Sequence, residues 1–516
     1  LLYNLEWLKT GELFPPSCEK ARIERYIQNA ALFDGEHFAD TTFRSPDGHA
    51  NVVGVEMYRK CAARISRVIG NFEDVISFPV LLNYQRLMTL KMADLVCGEY
   101  PTITGRDATD NKEIKRIRDV TDFDSQLYSC VIDISRYGDA VQRLYINEDG
   151  EKTFTNWDPK EWFPVVAQDG TNRITHHVLC WKENRSTDVY APDWYLHAQI
   201  HPTAKKLAGT YEYKVFKMDA FGRIGAQLSS TRVATGFDRC AVSSLKSFSV
   251  TNTVYGYDDY LPIDSLLAEI MTRIGQISVI LDKHADPNIT GPVSMLTPDP
   301  NTGEFKLKTG KFYAVSPGEE QPKYMVWEGH LESAFSQLEL LINQLYILSE
   351  MGAALLGSQS SGSQAISGTA MRFKMVNPLA KARRIANALT RPVRKLFAAL
   401  SDELEYSEVS VFWADGLPDD PRENIEMVKL ATGQAEIMPL EVAIVEYFNR
   451  SNEEAIDWMK QIEERKIKTM ETLAKFQAPS TDSDPNKPGP QDGTGVNPDK
   501  KGSDTGLNNF HGLHNK

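Results

Sequence analysis

The chain has 516 residues, 41 % of them apolar and 25 % charged, so most of it must fold and it has room for more than one core. A formal charge of −13 excludes a protein that grips nucleic acid by neutralising phosphates over its whole surface. Six cysteines without a CxxC pair read as buried free thiols in a reducing compartment. No run of about 18 apolar residues predicts a membrane span.

Residues 19–35, 53–70 and 78–98 carry helical patterns, the last stopped by Gly98 with Tyr100 and Pro101 just beyond. A further helical pattern fills 110–137 and closes at Gly138. Between about 141 and 250 the texture changes. VQRLYI, WFPVV, ITHHVLCW, YEYKVFKM and TRVAT read as short strands parted by Gly, Asp and Asn turns.

Two amphipathic helices follow. In 259–287, Leu266, Leu267, Ile270, Ile274, Ile277 and Leu281 recur at three and four, with Asp264 and Glu269 near the end where the helix dipole favours acids. In 330–354 the stripe is Leu331, Phe335, Leu338, Ile342, Leu345 and Leu348. Each helix spans about 35–40 Å at the standard rise. Between them, 288–328 is rich in Pro and Gly and alternates in EFKLKTGKFYAV, which predicts a small β element capping an antiparallel helix pair. Helical periodicity resumes over 367–405, where Pro378 and Pro392 are expected to kink or divide it. SEVSVFWADGLP reads as a strand and turn, ENIEMVKLATG and PLEVAIVEYF as short helices, and SNEEAIDWMKQIEERKIKTMETLAKF as a longer one with a Ser451/Glu454 capping box. From Ala478 to Lys516 the composition predicts disorder.

Chemistry is sought and not found. The loop LLGSQSSGSQAISGTAMRF, 355–373, is rich in Gly and Ser, but it follows a helix and lacks the lysine that closes a phosphate loop. His176 and His177 are adjacent and would point to opposite faces of a strand. His197 and His201 have the spacing of a helical metal pair, yet Pro202 and the nearby aromatics argue against a helix and no HExxH is present. The acids of DGLPDDP, 415–421, fit a capped turn better than a calcium loop. No GxSxG elbow occurs, and no nucleophile, base and orienter stand in a defensible pattern. The sequence predicts no catalytic residues, no metal and no cofactor.

One charge feature stands apart. Arg372, Lys374, Lys381, Arg383, Arg384, Arg391, Arg394 and Lys395 fall in 369–400 without a single acid. A solvated face paired to acidic neighbours, a phosphate-contacting face and a protein-docking face all fit. Bases in the first turn oppose the helix dipole, which points to an external acidic partner such as a neighbouring chain.

The order of the pieces is more specific than any one of them. The helix 259–287, the β insertion, the helix 330–354, the Gly/Ser loop, SGTAMRFKMVNPLAKARRIA and VSVFWADGLPDDPRENIEM together resemble the portal proteins of tailed bacteriophages, above all those of long-non-contractile-tailed phages. YQRLMTLKMADLVCGEYPTITG and FDGEHF fit that family's N-terminal wing. The resemblance covers about 20–475.

It implies an α+β, multi-domain subunit of a ring. Residues 1–258 would be the wing region, 259–287 the first stem helix, 288–329 the clip and 330–354 the second stem helix. Residues 355–368 would be the channel loop, with Gln359, Ser360, Ser361, Gly362, Ser363 and Gln364 able to make transient polar contacts to passing DNA. The span 369–429 would be a kinked long helix and wing return, 430–477 the crown, and 478–516 a tail. The implied role is structural and not enzymatic: a ring of twelve copies at one capsid vertex, passing double-stranded DNA during packaging and ejection. The implied partners are further copies of itself, the large terminase, scaffold, major capsid protein and head-completion adaptor, with no membrane. The implied place is the virion, after assembly in the host cytoplasm. The rival reading is another virion structural protein, such as a capsid shell, adaptor or tail component.

Overall fold

A computed structural model describes residues 1–35, 82–188, 191–251, 253–285, 289–290, 297–298, 305–306, 318, 323–324, 332–356, 372–414, 421–433, 438–448 and 452–477. The chain divides into two compact units, 1–418 and 419–516. The expected helix over 53–70, most of the β insertion, the Gly/Ser loop and the tail lie outside the described residues.

In the first unit, helix α1 (Lys20–Asp34) ends on Gly35 in the left-handed conformation that glycine adopts without penalty. Helix α2 (Tyr84–Cys97) is opened by Asn83, whose side chain accepts the Arg86 amide, and is closed at Gly98. Strand β1 (Thr102–Thr104) leads into α3 (Ala108–Thr121), capped by Asp107 through the amides of Thr109 and Asp110. The helical pattern over 110–137 is broken. Asp122 turns left-handed at φ 47° and starts a second helix, α4 (Phe123–Tyr137). Periodicity alone does not register a one-residue break that preserves the apolar face.

The strands form two sheets. A three-stranded one has order β3-β2-β9, with β2 Asp139–Ile146, β3 Lys152–Trp157 and β9 Val242–Lys246. A five-stranded antiparallel one runs β4-β5-β6-β7-β8, from β4 (Trp162–Val166) through β5 (Ile174–Asn184), β6 (Trp194–Pro202) and β7 (Thr210–Met218) to β8 (Ile224–Ala234). One face of the larger sheet is apolar (Val178, Cys180, Leu196, Ala198, Ile200) and is covered by Leu2, Trp7, Leu8 and Phe14 of the N-terminal segment. On its other face, Val141 and Val242 of the smaller sheet pack against Leu179 and Trp162.

His177, His197 and His201 sit on that second face, and His176 on the opposite one. His177 pairs with His201 across β5 and β6, and Trp181 with His197. His197 and His201 are therefore on a strand, about 13 Å apart at the strand rise, each with its own partners: Tyr213 and Glu183 for His197, Gln199 for His201. Burial holds His177 down to about 4 and His201 to about 3. Among the described residues no group of acids, cysteines and histidines is placed to hold a metal. Cys97, Cys130 and Cys180 are buried thiols, whereas Cys18 is exposed.

The two long helices of the first unit's centre are α5 (Asp264–Ala285) and α6 (Glu332–Leu348), which pack on one another. Short strands β10 (Ile289–Thr290) and β13 (Lys323–Tyr324) pair, as do β11 (Thr297–Pro298) and β12 (Phe305–Lys306). After α6 the chain turns through Glu350 at φ 60° and Gly352 at φ 67° into a single turn, α7 (Gly352–Leu355).

Helix α8 (Val376–Leu400) is one element, not the divided one that its prolines suggest. Pro378 lies in the first turn, where an amide has no intrahelical partner to lose. Pro392 lies inside and costs about 3 kcal/mol by loss of a bond and a clash. The face formed by Ile385, Leu389, Val393, Leu396 and Phe397 is buried on both sides of it. At about 1.5–3 kcal/mol per fully buried side chain, that face outweighs the proline. Strand β14 (Ser410–Phe412) returns to pair with β1. The main core joins α2, α3, α4, α5, α6 and α8 around Met88, Met92, Phe123, Leu127, Leu267, Leu345 and Phe397.

The second unit holds α9 (Pro421–Ala431), α10 (Leu440–Phe448) and α11 (Asn452–Gln477). Its small core includes Ala443, Ile444 and Ala455, with Phe448 and Trp458 rings 6.1 Å apart. Ile462, Ile467 and Met470 are exposed along α11.

Candidate functional site

The start of α5 and the end of α6 meet at one buried lysine. Lys381, on the inner side of α8, is 6 % exposed. Its ammonium lies 2.8 Å from Asp259 Oδ1 and donates to the Ser349 carbonyl at 3.1 Å. Asp259 precedes α5 and Ser349 follows α6, so a single charge gathers both helix roots. The other oxygen of Asp259 accepts from Ser135 of α4 at 2.7 Å. Thr89 of α2 continues the chain to Ser135 and to the Tyr260 hydroxyl at 2.7 Å.

A second clamp lies beside the first. Arg25 of α1 grips Asp258 with Nε and Nη2 (3.3 and 2.7 Å) and Asp264 with Nη1 (2.6 Å). Asp258 also caps the turn into α5 by accepting the amides of Tyr260 and Leu261. Burial pushes the Asp264 carboxyl up, and Arg25 opposes that shift. The planar guanidinium suits this two-carboxylate geometry better than an ammonium would.

A third group fixes α1 to the sheets. Arg22 donates to Glu19 (2.7 Å), to the Pro159 carbonyl (3.1 Å) and to the Trp162 carbonyl (2.8 Å), with the Tyr255 ring 4.6 Å from its centre. Next to it Asp139, buried and pushed up to about 6, accepts from Tyr26 (2.6 Å) and from the Gly256 amide (3.0 Å). Gly138, at φ +84°, lets that strand approach so closely that a Cβ would lie 2.6 Å from backbone atoms of Gly256 and Tyr257. Sequence reading missed these groups. Their signal was the Asp258-Asp259 pair just ahead of an amphipathic helix, which has no value until Arg25 and Lys381 are known to reach it.

The basic segment is split by the fold. Lys381 is internal, so it is withdrawn from the row that sequence reading turned towards an outside partner. The helical period explains this, because Lys381 lies four residues before Ile385 on the buried side. Arg384 pairs with Glu350 at 2.8 Å, and Arg394 donates to the Tyr406 carbonyl at 3.0 Å while stacking on its ring. Arg372, Lys374, Arg383, Arg391 and Lys395 are exposed. Arg383 edges a partly apolar groove of about 370 Å3 between the end of α2, α8 and β14. Gln359, Ser360, Ser361, Gly362, Ser363 and Gln364 lie outside the described residues.

The sequence profile of the family described as "Phage portal protein, SPP1 Gp6-like" matches residues 79–468. The chain belongs to that family. This portal-family chain is thus a structural component of a phage-like particle and not an enzyme. The match runs from α2 to α11 and so includes the whole joint between α8 and the roots of α5 and α6, except for Arg25 and its helix. No curated protein sequence matches the chain. Solved structures to which the chain is similar include three particle assemblies. "Virion of native gene transfer agent (GTA) particle" is 12% identical, covering 75% of this chain and 92% of that one, with a TM-score of 0.43. "Neck of empty GTA particle computed with C6 symmetry" is 12% identical over 70% and 89%, TM-score 0.44. "Neck of native GTA particle computed with C12 symmetry" is 8% identical over 70% and 89%, TM-score 0.41. Family membership rests on the profile match alone.

Proposed function

We propose that twelve copies of this chain close into a ring at one capsid vertex and form the channel through which double-stranded DNA is packaged and ejected. The profile match across 79–468 carries this reading, because it spans both long helices and the segment between them. In this arrangement α5 and α6 are the stem, the 288–329 insertion is the clip, 355–368 is the channel loop, and the helices of 430–477 belong to the crown. The clip would meet the large terminase and later the head-completion adaptor. Scaffold and major capsid protein would hold the ring in the shell, which assembles in the host cytoplasm before the virion is complete.

Two features of the isolated subunit support the ring. Leu281, Phe335, Leu340, Ile347 and Leu348 leave the α5/α6 pair with 48–62 % of their surface exposed. A two-helix stem buries its remaining apolar surface only against neighbours. A charge of −13 also suits a passage that DNA must leave, since basic walls would bind it tightly through counterion release.

The channel loop has a defined part in this scheme. Its Gln and Ser side chains make weak, exchangeable contacts to phosphate, and Gly357 and Gly362 give the backbone freedom to follow a helix that does not match the ring symmetry. Electron microscopy of the purified full chain, viewed down the particle axis, tests the ring: a closed ring with a central hole is expected. A lone subunit at assembly concentrations, or an aggregate without an axis, overturns the proposal in favour of a shell, adaptor or tail component. For the loop, Gln359→Lys with Gln364→Lys is expected to stall packaging while rings still form. Normal packaging by such rings refutes the loop's role.

A further inference from the structure

We propose that the exposed side of α8 is a socket for the acidic β2–β3 turn of the next copy in the ring. This rests on the ring reading above and names the contact that would make it close in one direction. On the socket side, Arg383, Arg391 and Lys395 are spaced by eight and four residues, which spreads them over about 120° of the exposed side of α8 and about 18 Å along it. All three are exposed, and none has an ion-pair partner among the described residues. Arg383, at one end, borders a groove lined by Leu379, Ala382, Ala386, Phe412 and Trp413 together with Asn387 and Thr390, with Phe412 62 % exposed. The surface thus offers positive charge that runs on from a partly apolar groove at its Arg383 end.

The complementary surface is built from the β2–β3 turn and the segment just past the end of α8. Tyr145 and Ile146, at the end of β2, are 36 % and 44 % exposed. Glu148 and Asp149 follow directly in an exposed turn. That turn is held in shape: the Glu151 amide donates to Asn147 Oδ1 at 2.8 Å, the Asn147 amide donates to the Glu151 carbonyl at 2.9 Å, and Gly150 is left-handed at φ 81°. The segment after α8 adds acids to the same patch. Asp402, 86 % exposed on its side chain, pairs with Lys152 beside the turn. Glu403 acts with Glu113 and Glu151 in raising the Arg116 guanidinium pKa. An acidic turn flanked by an aromatic and an aliphatic side chain matches a basic stripe with a partly apolar groove at one end.

The match distinguishes a second copy from duplex DNA. A phosphate backbone would satisfy the three bases, but it has nothing to fill the groove beside Arg383. The two surfaces also differ, so pairing one with the other is head-to-tail, the kind of contact that closes a ring instead of a two-fold dimer.

The test is a charge reversal with rescue, made in the full chain and read by light scattering and electron microscopy. R383E/R391E/K395E is expected to raise the concentration needed for rings about tenfold or more, as is E148K/D149K/E403K. Far-ultraviolet circular dichroism of both variants should be unchanged. The six-fold variant carrying both sets restores rings, because each copy then presents both reversed surfaces. Rings of either triple variant at the wild-type concentration overturn the proposal, as does a six-fold variant no better than its parents. If the first variant forms normal rings but binds less duplex DNA, the stripe serves DNA and the proposal is wrong. Failure of the wild-type chain itself to form rings would instead count against the portal-ring reading.

Discussion

Lys381→Met removes the charge that joins the roots of α5 and α6 to α8. The methionine keeps most of the side-chain volume, so the loss is electrostatic and not a cavity. It leaves the Asp259 carboxylate without its cation and the Ser349 carbonyl without a donor. Breaking a buried pair from one side costs about 3–5 kcal/mol. Here Asp259 keeps Ser135 at 2.7 Å and is 19 % exposed, so the lower end, about 3 kcal/mol, applies. That equals a roughly hundredfold rise in local opening. Hydrogen exchange on purified rings should show it first at 259–267 and 345–352, with amides of β5 and β6 unaffected. Asp259→Asn in the same chain removes the orphaned charge and is expected to recover more than half of the loss. Equal exchange in K381M and wild type would refute the clamp. So would a double variant showing the sum of both single losses, since coupled partners are not additive.

Gly138→Ala places a Cβ 2.6 Å from backbone that has no room to move, at a φ of +84°, and is expected to cost at least about 3 kcal/mol or abolish soluble protein; a variant within about 1 kcal/mol of wild type by thermal unfolding refutes the close approach. Acidification should act in opposite directions on two regions of the first unit. His177 and His201 are held at about 4 and 3, below their ordinary 6.5, so between pH 6.5 and 4 the unfolded chain binds more protons and the β5–β6 region loses stability as pH falls, on the order of 3 kcal/mol from His177 alone. Asp133 and Asp139 are raised to about 6 and Glu161 to about 7, so the folded chain binds more protons between pH 4 and 7. Their destabilising effect is full above those values and fades on acidification. Exchange rates at pH 7 and 5, corrected for intrinsic chemistry, should therefore rise for β5 and β6 and fall near Asp139. H177Q/H201Q removes the first effect only, and an unchanged acid response in that variant refutes the assignment.

Much of the fold was legible because burial imposes a period. The apolar spacing in 259–287 and 330–354 located α5 and α6, and short runs rich in β-branched and aromatic residues parted by turn residues located β2, β4, β5 and β7. Where a local rule failed, a packed face outweighed it: Pro392 did not divide α8, and Asp122 split one helical pattern into α3 and α4 without disturbing Phe123 and Leu127 in the core. The candidate site was less legible. The run of bases in 369–400 was visible as composition, but composition gives every base the same weight.

By itself, the sequence determined the elements, the acidic balance and the order of segments by which the family is recognised, because these depend on neighbours within a turn or two of chain. Only the tertiary structure decided that Lys381 is an internal clamp while Arg383, Arg391 and Lys395 face outward. The reason is distance along the chain. Asp259 and Ser349 lie far from Lys381 in sequence, and a buried charge is set by whatever the fold brings within about 3 Å of it.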